Sequence, residues 1–146
     1  MSEIREARLA AGLTQQQVAH YAGVTQSNIA AYEAGTRPIS PAMKARILKA
    51  MRRPSLAVAE HAADIKRILN DVGADNVRVF GSIASGKDTP TSDVDLLVDY
   101  GPRLTAFSLA RAQRQIADLL GFVVDIVTAS SVPERKRHIL DQAVPV

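Results

Sequence analysis

Cysteine and tryptophan are absent from the 146 residues, and histidine occurs three times. Without cysteine the chain can build neither a disulfide framework nor a thiolate metal site, and three imidazoles offer little to a zinc ion. Long apolar runs are also missing: Leu96-Leu97-Val98 and the stretch from Leu119 to Val124 fall far short of the ~20 residues that cross a bilayer. The opening stretch from Ser2 to Arg8 mixes charged and small residues and has no apolar h-region. No secretory signal and no membrane partner are therefore expected, and a cytoplasmic location is. What is present, 47% hydrophobic and 23% charged residues, is the composition of an ordinary globular protein with a core.

The net charge of +3 conceals two unlike parts. Residues 1–54 hold eight Lys/Arg and three acids, a net of +5, whereas residues 55–146 hold ten bases and twelve acids, a net of −2. A basic front suits a polyanionic partner, and an acidic back suits carboxylates kept for metal or catalysis.

Helical periodicity and turn signals organise the front. Ile4, Leu9 and neighbouring alanines predict a helix ending at Gly12. Thr14 followed three residues later by Gln17 forms a capping box that opens a second helix, which stops at Gly23. Thr25 caps a third helix, with Ile29 and Tyr32 on its buried side and Gly35 at its end. Ser40-Pro41 heads a fourth, running to about Met51. The polar, proline-containing segment after it predicts an all-α domain over 1–53, a linker over 54–57 and a second domain over 58–146.

The string Leu13-Thr14-Gln15, Ala19, Gly23-Val24-Thr25, Ile29, Glu33 and Gly35 resembles the helix-turn-helix of the Cro/C1/Xre repressor family, over about the first 50 residues. Ala19 is small where two helices cross, Gly23 accepts the left-handed turn, and Val24 and Ile29 are core. The resemblance implies that Gln26, Ser27 and Asn28, at the start of the third helix, enter the major groove of operator DNA. It also places Gln15 and Arg37 near phosphates. One such unit reads a half-site, so a homodimer, or a hetero-oligomer with a partner protein, is expected.

In the back part, Val58 through Val72 reads as an amphipathic helix closed by Gly73. Val77–Phe80, Asp93–Val98 and Phe122–Val127 read as strands. A helix from about Thr105 to Leu120 links the last two, and Pro133 starts a final helix. Interleaved helices and strands predict an α/β (α+β) domain.

Asp93 and Asp95 are the chemical centre. Alternation along a strand projects both from one face with Cα atoms roughly 7 Å apart, near enough to share divalent cations. Asp125 sits among Val123, Val124, Ile126 and Val127, which predicts a buried strand with something positive opposite. If its strand neighbours that of Asp93 and Asp95, three carboxylates converge in a site suited to Mg²⁺ and phosphates. Gly81-Ser82 would then offer backbone N–H groups and a hydroxyl to distal phosphates. Asp99 shares the parity of Asp93 and Asp95 but reads as a solvated strand end, and the basic run Arg135, Lys136 and Arg137 reads as a solvated helix face, with contact to nucleotide phosphate or the partner protein as the alternative and no role assigned.

Gly81-Ser82, ten residues, Asp93-Val94-Asp95, then Asp125 on a later strand resembles the DNA polymerase β-like nucleotidyltransferase superfamily, whose domain carries a small mixed sheet. More closely it is similar to the minimal nucleotidyltransferase (MNT) antitoxins that pair with HEPN-domain ribonuclease toxins, a likeness that includes the closing run from Arg137 to Val144. The resemblance implies transfer of AMP from ATP to a tyrosine of the HEPN partner. Asp93, Asp95 and Asp125 would hold two Mg²⁺, Asp125 would draw the proton from the attacking hydroxyl, and Gly81 and Ser82 would hold pyrophosphate. Where family members carry arginine in Gly-Ser-x-Ala-Arg-Gly this chain has Ser85, which predicts weakened activity; Lys87, two residues on, brings a point charge and not a bidentate fork. Two alternatives stand beside this reading: a degenerate domain that only binds toxin or nucleotide, and an enzyme acting on RNA or an aminoglycoside-like molecule.

Overall fold

The computed structural model of the chain describes residues 2–146, which divide into two compact units, residues up to Arg53 and Pro54–Val146. The first unit contains α1 (Glu3–Ala10), α2 (Gln15–Ala22), α3 (Gln26–Ala34) and α4 (Pro41–Ala50). Its caps follow from the sequence. The Thr14 hydroxyl accepts from the Gln17 N–H while the Gln17 side chain accepts from the Thr14 N–H, a reciprocal capping box. Thr25 caps α3 and Ser40 caps α4 in the same way, each accepting from the amide three residues on. Between α2 and α3 the chain turns through Gly23 at φ +70°, and a Cβ there would lie 2.8 Å from the Arg46 guanidinium. Ile4, Val18, Ala19, Ala22, Ile29, Ile47 and Met51 form the core.

A polar contact completes that core. Arg8 Nε and Nη2 donate to the two Glu33 carboxylate oxygens at 2.8 and 2.9 Å, and Nη1 donates to the Leu13 carbonyl at 2.9 Å. This bidentate pair ties α1 to α3, with the Glu33 side chain only 4% exposed. Burial would push the Glu33 carboxyl up, but hydrogen bonds from Arg8 and Gln15 and the charges of Arg8 and Arg5 outweigh it and hold it below the usual range.

The second unit contains α5 (Pro54–Glu60), α6 (Ala62–Asp71), β1 (Asp75–Phe80), β2 (Val94–Asp99), α7 (Ala106–Leu120), β3 (Val124–Thr128), α8 (His138–Gln142) and β4 (Val144–Pro145). Two single 3₁₀ turns, Ala129–Ser131 and Glu134–Lys136, precede α8. Residues 54–57, expected as a linker, are instead the first turn of α5, because Pro54 is well suited to a helix start and Pro54, Ala57 and Val58 are buried. The single helix expected over 58–72 breaks at His61, whose φ and ψ of −108° and 19° leave the helical region.

The sheet is mixed, in the order β3-β2-β1-β4. β1 and β2 run antiparallel with Phe80 opposite Asp95 and Val79 opposite Leu96. β2 and β3 run parallel with Asp95 opposite Asp125 and Leu96 opposite Ile126. A parallel neighbour requires a crossover, and α7 supplies it. Val77, Val79, Val94, Leu96, Val98, Val124 and Ile126 pack in one core with Ile65 and Leu69 of α6 and Ala112, Ile116 and Leu120 of α7. By parity, Arg78, Phe80, Asp95, Leu97, Asp99, Asp125 and Val127 belong to the opposite face. Residues 129–143 connect the β3 edge to the β4 edge, and Leu97, with 0% exposure, shows that this second face is covered as well.

The Arg8–Glu33 pair yields a prediction. Glu33→Ala leaves a buried guanidinium without its carboxylate and is expected to cost the helical unit about 3 kcal/mol in urea unfolding of the full chain. Because the carboxyl titrates below its unfolded value, the pair's stabilisation is complete above about pH 4.3 and is lost as pH falls through the folded pKa. In Glu33→Gln this acid-sensitive part of the stability curve should disappear.

Candidate functional site

Across three adjacent strands one row of the second face reads Phe80, Asp95, Asp125, each opposite the next. Asp95 is half-buried at the centre of the row, and Asp125 is exposed. The sequence predicts a buried Asp125 with a cation opposite. The structure corrects this: β3 is an edge strand, so only Val124 and Ile126 turn into the core, and water reaches the carboxylate. Asp93 is also displaced from its expected place. It lies one residue ahead of β2, which starts at Val94 with a 2.8 Å bond from the Val94 amide to the Val123 carbonyl, and its side chain is exposed.

The three carboxylates nonetheless share one field. Burial raises the Asp95 carboxyl above the usual carboxylate range, and the charges of Asp125 and then Asp93 raise it further. Gly81, at φ +71° directly after β1, brings the backbone against this group: a Cβ there would stand 2.6 Å from Asp95 Oδ2. Glycine takes this angle without strain and leaves the Asp95 carboxylate in place. The turn then coils tightly, with the Ser85 amide donating to the Gly81 carbonyl at 3.2 Å and the Lys87 amide to the Ser82 carbonyl at 2.9 Å. Ser82 is half-buried within this turn.

A cavity of about 250 Å³ lies over the row, lined by Phe80, Asp95, Asp125 and Val127 from the sheet and by Val132, Pro133, Lys136 and Ile139 from the segment that crosses it. A second cavity, of about 280 Å³, is bordered by Gly81, Ala84, Ser85 and Gln142. Of the crossing residues the sequence raises only Lys136, within a basic run left without a role. Arg135, Lys136 and Arg137 are three adjacent cations, and nothing in their order says which of them borders the cavity. Asp99, expected as a solvated strand end, is the last residue of β2 with its side chain half-exposed, and it also accepts from Arg78 Nη2 at 2.6 Å and Asn76 Nδ2 at 3.1 Å.

Among the described residues no three His, Cys, Asp or Glu side chains form a ready-made metal cage. The donor set still fits Mg²⁺: the oxygens are hard, they carry uncompensated negative charge, and Mg²⁺ is ordinarily held by one or two carboxylates together with substrate phosphates. Asp95 and Asp125 are the pair placed to do this, with Asp93 beside them.

In the helical unit, Gln26 and Ser27 at the start of α3 are exposed and Asn28 is half-buried. Gln26 Nε2 donates to Gln15 Oε1 at 3.1 Å, and Arg37 Nη1 donates to Asn28 Oδ1. The five polar residues singled out by sequence thus form two hydrogen-bonded couples, Gln15–Gln26 and Asn28–Arg37, with Ser27 beside them bonded to the Thr25 hydroxyl.

A nucleotidyltransferase domain model matches residues 62–146, more than half of the chain. The chain belongs to the nucleotidyltransferase family. A helix-turn-helix model matches residues 4–59, so this nucleotidyltransferase carries a DNA-binding domain of the Xre-like type in front of its α/β domain. It is similar to a Methanocaldococcus jannaschii protein named "Putative protein adenylyltransferase", with 36% identity over 88 residues that cover 57% of this chain and 95% of the relative. A second protein of that name and organism is 35% identical over 57 residues, covering 39% and 58%. A solved structure described as "putative minimal nucleotidyltransferase" superposes with a TM-score of 0.58 at 32% identity, covering 63% of this chain and 95% of its own. No helix among the described residues is long and apolar enough to cross a membrane.

The electrostatics of the nucleotidyltransferase row predict a conflict between stability and function. A carboxyl raised in the folded state stabilises it below the unfolded pKa, and that contribution is lost as pH rises through the folded value. Ionisation of Asp95 therefore opposes folding. Asp95→Asn is expected to melt higher than the wild type at pH 7, with the gap closing toward pH 4 in thermal scans.

Proposed function

We propose that this nucleotidyltransferase is an antitoxin that transfers AMP from ATP to a tyrosine of a HEPN-type ribonuclease and thereby silences it, while its helix-turn-helix binds operator DNA at its own promoter. The observation that carries the catalytic part is the pairing of Asp95 with Asp125 on parallel neighbouring strands, with the Gly81 backbone against Asp95. The names of the archaeal relatives, read as protein adenylyltransferases, support a protein acceptor.

Each residue has a task in this reading. Asp93, Asp95 and Asp125 would hold Mg²⁺, which would offset charge on the transferred phosphate and its leaving group. Asp125, exposed at the sheet edge where an acceptor from outside can reach it, takes the proton of the tyrosine hydroxyl. The phenolic oxygen forms a bond to the α-phosphorus, the bond from that phosphorus to the bridging oxygen breaks, and pyrophosphate departs against the Gly81-Ser82 turn. Gln26, Ser27 and Asn28 read base edges, while Gln15 and Arg37 sit on phosphates, in a dimer that spans two half-sites.

A specific observation favours a second reading, the degenerate regulator. Ser85 stands where the family carries arginine, and its hydroxyl donates to the Ser82 carbonyl at 3.1 Å, closing the turn on itself and extending no charge toward a ligand. Incubation with α-labelled ATP, Mg²⁺ and a co-encoded HEPN protein separates the two. Label on a HEPN tyrosine, lost in Asp125→Asn and on chelation of Mg²⁺, is the expected result. No label with operator binding retained would establish the regulator, and label on RNA or a small molecule would replace the acceptor.

The DNA contacts are tested separately by salt-dependent operator binding. Gln26→Ala is expected to cost about 1–3 kcal/mol at the operator and to relax discrimination there, whereas Arg37→Ala should weaken all sequences alike and lower the salt slope by about one.

A further inference from the structure

The chain between β3 and β4 crosses the second face of the sheet and borders two cavities of the proposed nucleotide site. Val132, Pro133, Lys136 and Ile139 border the cavity containing Asp95 and Asp125, and Gln142, six residues beyond Lys136, borders the cavity beside Gly81 and Ser85. One segment thus borders both the carboxylate cavity and the cavity at Gly81 and Ser85.

Charge is the difficulty of such a site. Three carboxylates and a triphosphate together carry more negative charge than two Mg²⁺ bring, so further cations are needed. The turn provides none at position 85, where Ser85 bonds to its own turn. The crossing segment does provide one. Lys136 is the only cationic residue lining the carboxylate cavity, and among the described residues it forms no ion pair. Arg135 and Arg137, its neighbours, do not line that cavity. A lysine on the wall of a carboxylate cavity, held to neither acid, is placed for an anion that enters with its own metal.

We infer that Lys136 is a phosphate-binding residue of the nucleotide site, contacting the phosphate chain from the crossing segment and supplying the positive charge that the Gly81–Gly86 turn lacks at Ser85. This rests on the nucleotidyltransferase reading above and adds to it a residue from the C-terminal segment. An ammonium on a flexible stem is a point charge, so it binds phosphate oxygens without the two-pronged geometry of arginine.

The experiment uses the full chain in Mg²⁺, with calorimetric binding of α,β-methylene-ATP and competition by inorganic triphosphate and by adenosine. Lys136→Met is expected to weaken the ATP analogue and triphosphate about tenfold, the effect of one charge-assisted hydrogen bond, and to leave adenosine unchanged. Lys136→Arg should retain binding within a few-fold, and Arg137→Met, the control for diffuse surface charge, should bind as the wild type does. Melting curves of all variants exclude a folding defect. Equal binding by Lys136→Met and wild type overturns the assignment, as does an equal loss in Arg137→Met or an equal loss for adenosine. A wild-type chain that binds neither the analogue nor triphosphate sinks the nucleotidyltransferase activity itself, an outcome distinct from a failure confined to Lys136.

Discussion

The parallel pairing of β2 with β3 is the constraint on which the catalytic unit depends. It sets Asp95 beside Asp125 in one register, and a slip by one residue would send one of the two carboxylates to the opposite face, into the aliphatic core. The same register sets Leu96 beside Ile126 in the core, so burial of the aliphatic side chains enforces the juxtaposition of the acids. Neighbouring like charges repel, and Asp95 records that repulsion as a carboxyl held above its ordinary range. Apolar packing on one face thus maintains an unfavourable electrostatic arrangement on the other, the kind of stored conflict expected where a cation and phosphates bind.

The turn after β1 is bound to the same arrangement. A side chain at Gly81 would be strained at its left-handed angle and would displace the Asp95 carboxylate, whose Oδ2 stands 2.6 Å from the place of a Cβ. The crossing segment borders the site and carries the chain from one sheet edge to the other, where β4 ends with Pro145. Proline has no amide hydrogen to donate, which blunts that edge. The helical unit follows a different logic, with a small aliphatic core and one nearly sealed ion pair between α1 and α3.

Much of this was legible in the residues. Thr14, Thr25 and Ser40 cap the helices they announce, because capping is local: a hydroxyl and an amide three residues on suffice. Three of the four strands were legible from their aliphatic runs, within one or two residues at each end, whereas β4, two residues long, was not expected. Less legible were features that depend on which elements become neighbours. Asp125 looked buried because four aliphatics flank it, yet an edge strand buries only one of its faces there. Arg8 and Glu33 are 25 residues apart, and no local signal pairs them. The 54–57 segment looked like a linker from its proline and polarity, properties that a helix start shares.

The residues by themselves determined the four helices of the first unit with their caps, three of the four strands and the long helix between the last two of those, the division between a basic helical part and an acidic α/β part, and the short list of acids and glycines able to carry chemistry. These rest on interactions within a few residues, which a string of side chains states directly. Only the tertiary structure decided that Asp125 is exposed beside Asp95, that Asp99 belongs to Arg78, and that Lys136 and Gln142 border the site. Those outcomes depend on strand order and on the path of one crossing segment, both set by packing between residues far apart in the chain.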